Sequence, residues 1–235
     1  MMKQLMDKGL LDAFLHLFFP NICVCCQSEV PPQGHPLCVH CRHRLPETDY
    51  FNHAENGFTD RFWGRIPLVG GAAAYYFRKG SRIQELMHAF KYQNRPDIGQ
   101  FMGEQIGLEV KGNPNFEGLD LILPVPLHPK KQRKRGYNQS AAFGAGLSAQ
   151  LGIPCISSAL TRAVHTASQT KKDRFERIRN MQNTFVVRQP KRLEHKHILL
   201  VDDVLTTGAT LEACALALLE AVEVRISMLT IAIAE

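Results

Sequence analysis

The sequence predicts an α/β protein: a mostly parallel sheet with helices on both faces, preceded by a small four-cysteine module. Three observations carry this expectation. Short apolar runs alternate with helical stretches from residue 70 onward, the pattern of strands joined by crossover helices. Five of the seven cysteines crowd between Cys23 and Cys41. Near residue 200 an apolar run meets two aspartates and then a turn of threonines and glycine.

The chain has 235 residues, enough for one ordinary domain and a small satellite. Two modules are expected. Residues 1–60 would hold an N-terminal helix, the cysteine module and a connector, and residues 61–235 the sheet. Apolar residues make up 45% of the chain and charged residues 21%, as in soluble globular proteins. Lys and Arg outnumber Asp and Glu by 28 to 22, a net charge of +6 that suits phosphate-bearing partners. The apolar stretch 9–19 (GLLDAFLHLFF) is interrupted by Asp12 and His16 and falls short of the roughly 20 residues that span a bilayer. Leu10, Phe14, Leu17 and Phe18 share one helical face. The stretch therefore reads as a short amphipathic helix packed on the next module, with peripheral membrane contact as the alternative. With no span and no secretory signal read from the sequence, the expected location is cytoplasmic.

Cys23-x2-Cys26 and Cys38-x2-Cys41 are separated by eleven residues that include Pro31, Pro32 and Gly34. Two such knuckles on turn-rich chain gather four thiolates around one tetrahedral ion, the zinc-ribbon arrangement. A closed four-cysteine site has no open coordination position. The expected Zn²⁺ is therefore structural, stapling a module too small to bury an adequate core. Cys25 is a fifth thiol that competes with Cys26 as ligand; the two-residue spacer favours Cys26. His35, His40 and His43 read as solvated side chains, and Cys155 and Cys214, alone in apolar surroundings, as core residues.

Residues 47–67 lose periodicity and read as a connector. Strands are expected at 70–77, 119–125, 153–157, 185–187, 197–201 and 224–234. Helices are expected at 82–92, 97–109, 140–151, 174–181 and 210–221. The run LDLILPV at 119–125 is closed by Pro124 and Pro126, as befits a short buried strand. No internal repeat and no low-complexity segment interrupts the pattern.

The chemistry concentrates at residues 198–210, ILLVDDVLTTGAT. Open α/β sheets bind ligands at the carboxyl ends of their strands, which puts Asp202 and Asp203 at a site. Thr206, Thr207, Gly208, Ala209 and Thr210 offer backbone N–H groups, hydroxyls and a helix N-terminus to an anion. Gly208 supplies freedom for close approach. Carboxylates beside a phosphate cradle accept hydrogen bonds from sugar hydroxyls, so the ligand implied is a ribose 5-phosphate. A receiver domain is excluded because its acidic pair comes at the first strand, and no G-x4-G-K-[ST] loop is present.

This run resembles the signature of type I phosphoribosyltransferases for phosphoribosyl pyrophosphate (PRPP). The resemblance implies that Asp202 and Asp203 contact the ribose 2′- and 3′-hydroxyls and that residues 206–210 wrap the 5′-phosphate. It also implies Mg²⁺ bridging pyrophosphate and ribose. The order of four-cysteine ribbon, strand 121–125, basic loop and terminal signature is similar to the ComF/GntX family and covers nearly the whole chain. Within it, PVPLHPKKQRKRGYNQ at 124–139 matches the family's P-V-P…R-G-[FY]-N-Q block, and Thr166, Gln169, Arg177 and Asn180 its T-x2-Q…R…N block. The family implies a role in natural competence, where imported single-stranded DNA is handled on the cytoplasmic side of the membrane.

Lys130, Lys131, Arg133, Lys134 and Arg135 put five positive charges in six residues. Beside a PRPP site they would neutralise a pyrophosphate leaving group. Equally, they would bind a nucleic-acid backbone, with Tyr137 stacking on bases, or form a solvated basic loop. The basic stretch 162–180 reads as a hood over the ligand or as an extension of a nucleic-acid groove. Thr206 stands where hypoxanthine–guanine enzymes carry an aspartate base, which argues against that salvage reaction. His88 and Lys91, in the helix 82–92, could face an acceptor but read better as an exposed or packed pair. Three functions follow: a PRPP-binding protein of DNA uptake, an active phosphoribosyltransferase with a base or nucleic-acid acceptor, and a metal-stapled interaction module with a competence helicase as partner.

Overall fold

The computed structural model describes residues 20–30, 35–163 and 184–235. The expected helices at 9–19 and 174–181, and Thr166, Gln169, Arg177 and Asn180, lie outside them. Four parallel strands form the central sheet: β1 (Leu68–Phe77), β2 (Leu121–Pro124), β5 (His197–Leu205) and β6 (Arg225–Ala234). Their order is β1-β6-β5-β2, with Leu200 level with Met228 and Leu123. Two short strands, β3 (Leu160–Arg162) and β4 (Phe185–Val187), pair antiparallel beside it.

Because successive side chains on a strand face opposite ways, each strand feeds two cores. Leu199, Val201, Leu229 and Ile231 face α2 (Arg82–Tyr92), α3 (Pro96–Val110) and α5 (Gln139–Leu151). Ile198, Leu200, Ile226 and Met228 face α7 (Ala209–Ala221) and the small β3–β4 ribbon. Helices α3 and α5 cross closely enough that a Cβ at Gly103 would stand 2.3 Å from the Phe143 carbonyl oxygen, and one at Gly146 2.0 Å from that of Gln100. Those glycines set the depth of the crossing.

Three expectations are corrected. The stretch 47–67 is not a bare connector. It holds the 3-10 turns Tyr50–Asn52 and Thr59–Phe62, and Phe58, Phe62 and Ile66 are buried against the second core. The expected strand at 153–157 is a single parallel bridge, Cys155 to Ile122; Pro154 has no N–H to extend a ladder. The basic loop after β2 is instead a helix, α4 (Pro129–Arg135). His128 caps it, its Nδ1 accepting from Lys130 N at 3.1 Å, and Gly136 ends it with φ of +84°. Two short helices, α1 (Val39–Arg42) and α6 (Pro190–Leu193), and a 3-10 turn at Pro114–Phe116 complete the described elements. Among the described residues no helix is long and apolar enough to cross a membrane.

Candidate functional site

The carboxyl end of β5 brings the expected site residues together. The strand runs on through Asp202 and Asp203 to Leu205, the chain turns at Thr206–Gly208, and α7 begins at Ala209. Gly208, at φ of +84°, is the residue before the helix, a left-handed conformation that costs other residues energy. Thr206, Thr207 and Thr210 are exposed at this rim, where the first turn of a helix also leaves backbone N–H groups unpaired within the helix.

The two aspartates differ. Asp202 is partly buried; its Oδ1 accepts from Ser140 Oγ and from the Asp203 N–H, both at 2.8 Å. Burial first, and the neighbouring Asp203 carboxylate second, push the Asp202 carboxyl up to about 7. Asp203 Oδ2 meets the Lys91 ammonium at 3.1 Å. Lys91, read as an exposed or packed side chain with an acceptor-facing role as the alternative, points from the last turn of α2 into the acidic pair. The space in front of the pair is a cleft of about 370 Å³, walled by Lys131, Arg135, Ser140, Arg162, Thr206 and Thr210.

Helix α4 forms one side of this cleft. Lys130, Lys131, Arg133 and Lys134 are exposed and none of its residues is buried. Arg135 turns back, donating from Nη1 to Gln139 Oε1 at 2.9 Å and lying 5.7 Å over the Tyr92 ring. Tyr137 is packed on α2: its ring lies 5.9 Å from that of Phe90 and its hydroxyl donates to the Phe90 carbonyl. Burial pushes that hydroxyl up to about 12. This geometry makes Tyr137 an anchor for α4 and does not favour the stacking role expected for it. The exposed ring beside the basic helix is Tyr92, 58% accessible, which the sequence reading did not single out.

The turn itself is held from behind. Arg61 Nη1 donates to the Thr206 carbonyl at 2.5 Å and Nη2 to that of Ala234 at 2.8 Å. Arg65 pairs with Glu212 in the first turn of α7 at 2.5 Å, and Phe62 closes against Gly208. These residues come from the stretch read as a connector. Only the arginines flanking an apolar Phe hint at them in the sequence.

The family model for the phosphoribosyl transferase domain matches residues 138–234, from the start of α5 through β6. Competence protein F of Haemophilus influenzae is 30% identical over 202 residues, 84% of this chain and 83% of that protein. The chain belongs to the ComF/GntX family. Two further ComF/GntX relatives agree. Competence protein ComFC of Bacillus subtilis is 30% identical over 209 residues, 85% of this chain and 78% of that one. DNA utilization protein YhgH of Escherichia coli is 34% identical over 140 residues, 58% of this chain and 61% of that one. The fold is type I phosphoribosyltransferase-like.

The ComF/GntX chain also carries its four cysteines together. The sulfurs of Cys23, Cys26, Cys38 and Cys41 all lie within 4.8 Å of one another, a group able to hold a metal ion. No disulfide joins any of the seven cysteines. The set fits a metal: Cys23 and Cys41 are buried, and Arg82 Nη1 donates to Cys41 Sγ at 3.2 Å, the contact expected of a thiolate. Cys25 faces away, its Sγ donating to the Arg82 carbonyl at 3.5 Å, and burial pushes its thiol up to about 12. His40 and His43 are exposed, and His35 rests 5.2 Å from the Phe101 ring. Cys214 is buried and Cys155 half-buried, both thiols raised by burial.

Proposed function

We propose that the chain binds PRPP with Mg²⁺ in the cleft at the carboxyl end of β5 and acts in DNA uptake, handling incoming single-stranded DNA in the cytoplasm. The observation that carries the ligand is the juxtaposition of Asp202 and Asp203 with the turn of Thr206, Thr207, Gly208, Ala209 and Thr210. The acids accept the ribose hydroxyls. The turn and the α7 N-terminus hold the 5′-phosphate through N–H groups and hydroxyls. Mg²⁺, when bound with PRPP, offsets the charge of its pyrophosphate. The four cysteines hold a structural Zn²⁺.

The DNA reading is supported by the names of the relatives and by α4. Its exposed Lys130, Lys131, Arg133 and Lys134 form a phosphate-tracking row with the accessible Tyr92 ring at one end. Calorimetric titration of PRPP and Mg²⁺ into the zinc-loaded protein, beside Asp202→Asn/Asp203→Asn, tests the ligand. Saturable binding lost in the variant is expected; a folded wild-type protein that binds none overturns the reading. Replacing the four exposed α4 cations by Gln is expected to weaken single-stranded DNA binding and to flatten its salt dependence by about 0.7 per lost phosphate contact.

One observation favours turnover as a second reading. Lys131 and Arg135 line the cleft, where they would stabilise negative charge on departing pyrophosphate. Release of pyrophosphate from PRPP in the presence of a panel of bases and nucleic acids tests it; no release across the panel excludes it.

A further inference from the structure

Lys91 belongs to no motif in the sequence, yet its ammonium sits at the mouth of the cleft, on Asp203. The two side chains are 21% and 14% exposed. Holding a four-carbon side chain there costs rotamer entropy, and it places a cation within the cleft beside the acidic pair rather than in open solvent.

A second observation concerns the same cleft. Gln139 lines it and is 1% exposed. Arg135 donates to its Oε1, and a guanidinium can only donate, which fixes the orientation of the amide. The other end, Nε2, is buried with no hydrogen-bond partner among the described residues. A buried donor left unpaired is costly. Lys91, Lys131, Arg135 and Arg162 outnumber the two carboxylates here. Such a wall suits a ligand with negative charge beyond the single phosphate that the Thr206–Thr210 turn would hold.

We propose that Lys91 is a ligand-positioning residue whose ammonium bridges Asp203 and the pyrophosphate arm of a bound phosphoribosyl ligand. The site thereby discriminates sugars that carry this arm from ribose 5-phosphate. The inference rests on the PRPP reading above and adds to it a residue and a basis for selectivity. Asp203 keeps one oxygen for a ribose hydroxyl while Lys91 spans from the other to a phosphoryl oxygen. The strand thus reaches the anomeric side of the sugar through α2.

Titration calorimetry with PRPP and, separately, with ribose 5-phosphate on wild type, Lys91→Met and Lys91→Arg tests this, with thermal melts as a check on folding. Lys91→Met keeps the apolar stem and loses the charge. It is expected to weaken PRPP binding about tenfold or more, the loss of one charge-assisted contact, and to leave ribose 5-phosphate within about twofold. Lys91→Arg is expected to retain most of the preference. Equal losses for both ligands, or PRPP binding by Lys91→Met at the wild-type level, overturns the proposal. If Lys91→Met does not fold, Lys91→Gln provides the same comparison. A folded wild type that binds no PRPP refutes the underlying reading instead, so the two failures are distinct.

Discussion

Asp202 and Gln139 occupy one cleft and each carries a cost in the free protein. For Asp202 the cost depends on pH. The folded protein holds its carboxyl at about 7 against an ordinary 3.8, so between these values the folded state binds a proton that the unfolded state releases. Its contribution to stability is therefore full below about pH 4 and is lost as pH rises towards 7. Wild type is expected to lose about 1 kcal/mol or more relative to Asp202→Asn between pH 5 and pH 8, read from denaturant midpoints. Parallel pH profiles for the two proteins would show that the carboxyl is not raised. For Gln139 the cost is the unpaired Nε2. Gln139→Met removes it and is expected to raise the stability of the free protein by about 1 kcal/mol while weakening ligand binding, measured by paired melts and titrations. A destabilised variant would mean that the Arg135 contact outweighs the unpaired donor.

Among the elements, the β5–turn–α7 unit is built to a narrow tolerance. Gly208→Ala would force a side chain into a left-handed backbone, with its Cβ 3.1 Å from the Phe62 ring. A loss of about 1–2 kcal/mol is expected, with anion binding falling further than stability because the turn itself must move. Helix α2 has a different task. At its first residue Arg82 donates to Cys41 Sγ, and at its last turn Lys91 meets Asp203. Arg82→Ala is expected to lower metal affinity about 10- to 100-fold, measured by competition with a chromophoric chelator.

The elements differ in how far the sequence announced them. The β5–α7 unit was legible because an apolar strand, paired acids and a Gly turn coincide within thirteen residues. The two C-x2-C knuckles were legible for the same reason: spacing and chemistry agree. Helix α4 was missed because KKQRKR offers no apolar stripe, although His128, Pro129 and Gly136 were capping signals in plain sight. The 3-10 turn at Thr59–Phe62 was missed because Phe58, Phe62 and Ile66 reach the core without helical or strand periodicity. Lys91 follows a buried Phe90 on an amphipathic helix, and nothing local distinguishes it from a solvated lysine. Its partner lies more than a hundred positions along the chain.

At the scale of the whole molecule, the cysteine module and the sheet share one core. Cys23, Val30, Leu37 and Cys41 are buried in the same cluster as Ile83, Leu86 and Met87 of α2. Removal of the metal should therefore be felt beyond the ribbon. Chelation is expected to lower the thermal midpoint of the entire protein by several degrees, with re-addition of Zn²⁺ restoring it. An unchanged midpoint would mean that the sheet tolerates a collapsed ribbon.

The strand order has a consequence for the life of the chain on the ribosome. Among the described residues, β1 pairs with no strand but β6, and β6 joins it to β5. Roughly 150 residues separate β1 from β6, which at about 5–20 residues per second leaves the β1 edge bare for about 7–30 s during synthesis. A nascent chain halted before residue 225 would hold an apolar strand with its hydrogen-bonding edge open to any neighbour. The ribbon and the stretch 46–48, which bonds along the other edge of β1 through Tyr76 N to Pro46 O and Thr48 N to Ala74 O, are already made by then. They can sheath that other edge while the strand waits, acting as a built-in escort for a sheet whose keystone is delivered late.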